Sequence, residues 1–121
     1  MPSVPLICIV DDDRALRASV ADLMHSGGYR TAEFATADAF LASEEKFSCQ
    51  CVLADIQMPG MTGIDLKRAM NDEGLATPFI IITALSDGKW RSRAIETGAA
   101  FLRKPFEADT LFGLVASSLA A

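Results

Sequence analysis

Apolar residues collect along the chain in five short runs, and the stretches between them carry apolar positions three or four apart. The runs are LICIV at 6–10, RTAEF at 30–34, CVLA at 51–54, PFIIIT at 78–83 and AAFLR at 99–103. The first, third and fourth are apolar almost without a break, the pattern of parallel strands covered on both faces, whereas RTAEF alternates as an edge strand does. Between the runs, Leu16, Val20, Leu23 and Met24 share one face of a helix that Gly27-Gly28 terminates. Thr36 is placed to cap a second helix that buries Phe40 and Leu41. Thr62-Gly63 opens a third helix, which ends near Gly74, and a fourth covers about 87–97, starting at Asp87 and stopping at Gly98. A fifth covers about 107–119, with Leu111, Leu114, Val115 and Ser118 on one side. Strict alternation with right-handed crossovers predicts an α/β unit, a doubly wound parallel sheet of five strands with five helices on its two faces. Ligands of such sheets bind beyond the carboxyl ends of the strands.

At 121 residues the chain has the length of one domain, spanning 1–121, with no repeat, linker or low-complexity tract. A chain of this length buries roughly 65% of the surface its unfolded form exposes, enough for a single core. The longest apolar run is too short to cross a bilayer, so no membrane role is expected. The N-terminus, MPSVPLICIVDDD, has no basic region ahead of its apolar stretch and ends in acids, which points to the cytoplasm. Cys8, Cys49 and Cys51 fall in apolar stretches and are odd in number, so they are expected as buried small hydrophobes instead of disulfide partners or metal ligands. The net charge is −5 and the only basic cluster is KWRSR at 89–93, which argues against direct nucleic-acid binding by this segment.

The first predicted strand ends in Asp11-Asp12-Asp13, the third in Asp55, the fourth in Thr83 and the fifth in Lys104. A doubly wound sheet brings all of these to one edge. Asp11, Asp12 and Asp55 carry −3 and Lys104 +1, leaving −2. Two like charges about 4 Å apart repel by roughly 4 kcal/mol at an effective dielectric of 20, so the cluster should recruit a divalent cation. Oxygen ligands at a partly hydrated site suit Mg²⁺. Such a cation lets a carboxylate attack an anionic phosphoryl donor, with Thr83 and Lys104 placed to hold phosphoryl oxygens. On that chemistry Asp55 becomes an aspartyl phosphate.

Four pieces, VDDD, D-x-x-M-P-x-M-x-G from Asp55 to Gly63, Thr83-Ala84 and Lys104-Pro105-Phe106, stand in this order, each at a predicted strand end. Together they resemble the receiver domain of two-component response regulators over almost the whole chain. The resemblance implies a flavodoxin-like strand order, 2-1-3-4-5, with Asp55 as phosphoacceptor. It implies Mg²⁺ held by Asp11, Asp12, Asp55 and the backbone carbonyl of Gln57. It makes Thr83 and Phe101 a switch pair, lets Lys104 contact the phosphoryl group, and gives Lys104-Pro105 a cis peptide bond. Gln57 and Leu85 would flank the phosphate and tune its hydrolysis. The donor is a sensor histidine kinase or a phosphotransfer protein, and the chain is no enzyme beyond its own phosphorylation and dephosphorylation. Phosphorylation is expected to reshape the face of the fourth helix, fifth strand and fifth helix, through which a homodimer is also an allowed association. Gly98-Ala99-Ala100-Phe101 is tighter than the family's usual spacing before the last strand. KPFEADTL resembles receivers attached to helix-turn-helix transcription factors, and the end at SSLAA fits either a stand-alone receiver or the N-terminal piece of a longer regulator.

Plainer roles compete at several positions. Asp13 is expected to cap the first helix, His25 to sit at that helix's end, and Met58 and Met61 to pack beside the turn that Pro59-Gly60 makes. Phe101 is open between core packing and switching, and Trp90 between an exposed contact residue and a partly buried one. Two other classes stand beside the receiver: a haloacid dehalogenase-type phosphatase using Asp11 and Asp13, and a receiver-like binding module that never carries phosphate.

Overall fold

The structure, a computed structural model, describes residues 4–85 and 88–120. Five strands, β1 Leu6–Val10, β2 Arg30–Phe34, β3 Cys51–Ala54, β4 Phe79–Thr83 and β5 Ala100–Arg103, alternate with helices along the chain. They form one sheet in the order β2-β1-β3-β4-β5, and every neighbouring pair is parallel. The helices are α1 Arg14–Ser26, α2 Ala37–Leu41, α3 Glu45–Ser48, α4 Gly63–Asp72, α5 Gly88–Glu96 and α6 Ala108–Ala120. The five strands match the sequence expectation to within one residue at each end.

The helix count corrects the expectation: among the described residues there are six instead of five. Thr36 caps α2 through Ala39 N–H at 3.0 Å, but the helix stops after Leu41. Both the amide and the hydroxyl of Ser43 turn back to the Phe40 carbonyl, at 3.0 and 2.6 Å, and that competition with the helical ladder breaks the segment in two. Cys49 then ends α3 and is not part of a strand. The expected start of the fourth helix at Asp87 lies outside the described residues, and its end falls at Glu96, with Gly98 at a φ of 91° completing the turn.

The sheet separates two apolar layers. Val10, Val52 and Ile81 meet Phe40 of α2, Ile64 and Met70 of α4 and Ala94 of α5 on one face. Ile7, Ile9, Leu53, Ile80 and Ile82 meet Val20 and Met24 of α1 and Leu111 and Val115 of α6 on the other. Burying each such side chain is worth about 1.5–3 kcal/mol, which is why three strands can run apolar on both faces. Cys8, Cys49 and Cys51 are free, buried thiols, and burial pushes Cys51 up to about 12.

Two features of α4 have measurable consequences. The Gly63 amide donates to the Ile56 carbonyl at 3.2 Å, and a Cβ at Gly63 would run into the Asp55 carbonyl. Thr62 and Asp65 close a reciprocal capping box ahead of α4, at 3.1 and 3.3 Å, so this turn is held from both sides. Gly63→Ala should therefore cost about 1–3 kcal/mol in urea unfolding and displace the backbone at Asp55; an unchanged unfolding midpoint would contradict the contact. Lys67, on the packed face of α4, is only 6% exposed, and burial lowers its pKa. The unfolded chain then binds the extra proton between that lowered pKa and the ordinary 10.5, so this lysine's penalty is full at neutral pH and fades as pH rises toward 10.5. Lys67→Met is expected to raise stability at pH 7, with the gain shrinking in alkaline unfolding curves; a variant less stable than wild type at pH 7 would rule this out.

Candidate functional site

The strand ladders continue one residue past the carboxyl ends of the strands, and this places the site. Asp11 N–H donates to the Phe34 carbonyl at 3.0 Å, Asp55 N–H to Val10 at 3.2 Å and Lys104 N–H to Thr83 at 2.8 Å. Three residues from distant parts of the chain are thereby fixed side by side on one edge. Lys104 Nζ lies 3.1 Å from Asp55 Oδ2 and 4.0 Å from Asp11 Oδ2. The Asp55 and Lys104 side chains are only 13% and 19% exposed, so this is no solvated surface pair. The Lys104-Pro105 peptide is cis.

Each group is oriented further by its neighbours. Asp55 Oδ1 accepts from the Gln57 amide at 3.2 Å, and Asp11 Oδ1 from the Asp13 amide at 2.9 Å. Thr83 is fully buried, its hydroxyl oxygen accepting from the Leu85 amide at 3.2 Å. Burial holds the Asp11 carboxyl above the ordinary carboxylate range; the Asp13 amide opposes that shift, Asp55 reinforces it and Lys104 opposes it in turn. Two carboxylates thus share one ammonium, and the site keeps an excess of negative charge. Asp12, exposed, is not drawn onto Lys104. It lines an adjoining cavity of about 460 Å³ with Gln57, Met58, Thr62, Leu85 and Trp90. Among the described residues no three His, Cys, Asp or Glu side chains are gathered closely enough to hold a metal ion between them, and the carboxylates that share Lys104 are two, Asp11 and Asp55. An incomplete set of carboxylates, with room for a backbone carbonyl and water, is the kind of site Mg²⁺ takes, so the residues fit that ion.

Phe101 is half-buried on β5 and, like Leu85 and Trp90, packs against the apolar layer that α4 and α5 share. Asp13 caps α1, accepting from Leu16 N–H at 3.1 Å, as expected. The cap accounts for Asp13 without any role as a general acid. His25 ends α1 and bonds the Thr31 hydroxyl at 2.7 Å. Sequence reasoning missed Arg17, whose guanidinium donates to the Asp11 carbonyl at 2.7 Å and pairs with Glu33 at 3.4 Å. The available signal was its position one turn beyond the Asp13 cap.

A family model described as the response regulator receiver domain matches residues 7–116. The chain belongs to that family. Among relatives of this receiver, the response regulator protein TmoT of Ectopseudomonas mendocina is 36% identical over 115 residues, 94% of this chain and 52% of the relative. The transcriptional regulatory protein FixJ of Bradyrhizobium diazoefficiens is 37% identical over 114 residues, 93% of this chain and 56% of FixJ. The receiver thus spans about half the length of these relatives. Of solved structures, the response regulator StyR superposes with a TM-score of 0.89 at 33% identity, over 98% of this chain and 60% of StyR. Receiver domains are signalling domains phosphorylated by histidine kinases, and they generally bind Mg²⁺ at an acidic pocket. No described helix is long and apolar enough to cross a membrane.

The strain of the receiver's acid cluster is measurable. In the absence of divalent cations, Asp11→Asn should raise stability by about 1 kcal/mol, because it removes a carboxylate that burial and Asp55 disfavour while an amide oxygen can still accept from Asp13. A loss of stability in metal-free urea unfolding would show that the Lys104 attraction outweighs those costs.

Proposed function

We propose that this receiver takes a phosphoryl group from the phosphohistidine of a sensor histidine kinase or phosphotransfer protein onto Asp55. The observation that carries the reading is Lys104 Nζ between Asp55 Oδ2 at 3.1 Å and Asp11 Oδ2 at 4.0 Å, at the carboxyl edge of a parallel sheet. Asp11, Asp12 and Asp55, with the Gln57 carbonyl, would hold Mg²⁺. The chemistry that ion supplies is screening of two anions and charge neutralisation on the transferring oxygens.

The chain's own groups do the rest. Asp55 is pre-aimed by the Gln57 amide and by Lys104, and once its oxygen bears phosphorus the lysine pairs with a phosphoryl oxygen instead. The Thr83 hydroxyl, now satisfied by the Leu85 amide, turns toward the phosphoryl group, and Phe101 follows into the space released. That reshapes the surface of α5, β5 and α6, the fourth helix, fifth strand and fifth helix expected from the sequence. Moving a switch from mostly off to mostly on takes roughly 5 kcal/mol, the worth of a few charge-assisted hydrogen bonds.

On this reading 1–121 is one cytoplasmic receiver unit that catalyses only its own phosphorylation and dephosphorylation, makes no direct contact with nucleic acid, and offers the α5–β5–α6 face to a partner or a second copy. Relatives named as transcriptional regulators support a role in controlling transcription. Incubated with acetyl phosphate and Mg²⁺, the wild-type chain should gain the mass of one phosphoryl group, and Asp55→Asn should gain none. Undiminished labelling of that variant would refute the assignment, and a folded wild type that never labels would favour a receiver-like binding module.

A further inference from the structure

The cavity beside the acid cluster is walled by the sequence neighbours of the site residues: Asp12 follows Asp11, Gln57 lies two beyond Asp55, and Leu85 two beyond Thr83. It therefore adjoins the acid cluster, whose Asp11, Asp55 and Lys104 side chains themselves line a separate, smaller space. One wall comes from elsewhere. Trp90, the chain's single tryptophan, reaches this cavity from α5. The Arg93 guanidinium lies 5.4 Å from the centre of the indole, one turn further along the helix. Asn71 Nδ2 donates to the Thr97 carbonyl at 3.0 Å, holding the end of α5 to the end of α4, so the indole is carried on a tethered helix.

Resting on the assignment of Asp55, we propose that Trp90 is a positioning residue for the hydrolytic step: its indole, braced by Arg93, keeps water out of the cavity and sets the lifetime of the aspartyl phosphate. Hydrolysis joins a water oxygen to phosphorus, breaks the bond from phosphorus to the Asp55 oxygen, and returns Asp55 as carboxylate, with both water protons leaving on the phosphate. That water must stand on the side of phosphorus away from Asp55, and apolar surface there lowers its occupancy; exclusion of water is a general protection for reactive intermediates. Among the lining residues Gln57 is polar and Leu85 aliphatic, and the indole is the broadest apolar group.

The test compares wild type, Trp90→Phe, Trp90→Ala and Arg93→Ala after labelling with acetyl phosphate and Mg²⁺ and removal of the donor. Loss of phosphate is followed by intact mass, and the single indole reports by fluorescence in the proteins that keep it. Trp90→Ala should lose phosphate about five- to tenfold faster than wild type, Trp90→Phe within about twofold of wild type, and Arg93→Ala about two- to threefold faster with red-shifted emission, as the indole loosens. Decay of Trp90→Ala at the wild-type rate, or of Trp90→Phe as fast as Trp90→Ala, would overturn the role. Should Trp90→Ala not fold, unchanged decay and emission in Arg93→Ala would overturn it alone. A wild type that takes no label removes the Asp55 assignment, whereas labelled proteins with equal decay remove only Trp90.

Discussion

The ion pair between Lys104 and the two carboxylates it serves governs the rest of the molecule. An ammonium 3.1 Å from Asp55 and 4.0 Å from Asp11 cannot balance both, and neither acid is free to leave, because backbone hydrogen bonds to Phe34 and Val10 hold them where the ladders run out. At an effective dielectric of 20 a pair of like charges at about 4 Å costs roughly 4 kcal/mol, a large fraction of a small domain's stability. The rigidity of the core makes that cost sustainable. β1, β3 and β4 are buried along their full length, so the edge that carries the acids cannot relax by sliding strands. The site is an arrangement of like charges that the fold holds in place.

Thr83 ends β4 and Lys104 follows β5, and the Lys104 amide donates to the Thr83 carbonyl, which ties the lysine of the acid cluster to both strands. Thr83 has no solvent contact, and its hydroxyl oxygen accepts from the Leu85 amide. Phe101 and Trp90 sit partly buried in the layer next to it.

Much of this was legible in the sequence because the signals were local. Unbroken apolar runs marked the central strands, Thr36, Thr62 and Asp13 marked helix starts, and the strand-end acids were placed by topology alone. What escaped depended on competition or on packing between distant segments. Ser43 turning back to Phe40 broke one expected helix into two, a choice between equally short-range hydrogen bonds that periodicity does not register. Arg17 reaches the site through a side-chain bond to a backbone carbonyl, and Trp90 reaches the cavity from α5, which packs into the apolar layer it shares with α4. Trp90's placement leaves no trace in spacing, whereas the one-turn offset of Arg17 from the Asp13 cap was the signal available for it.

The central claim, that the three acids carry an excess of negative charge which a divalent cation relieves, is most directly tested by thermal unfolding against Mg²⁺ at constant ionic strength. A saturable rise in stability is predicted, about 2.7 kcal/mol at a hundredfold excess over the dissociation constant, that disappears when Asp11 and Asp12 are both changed to Asn. A wild-type midpoint indifferent to Mg²⁺, or a rise that survives the double substitution, would contradict it.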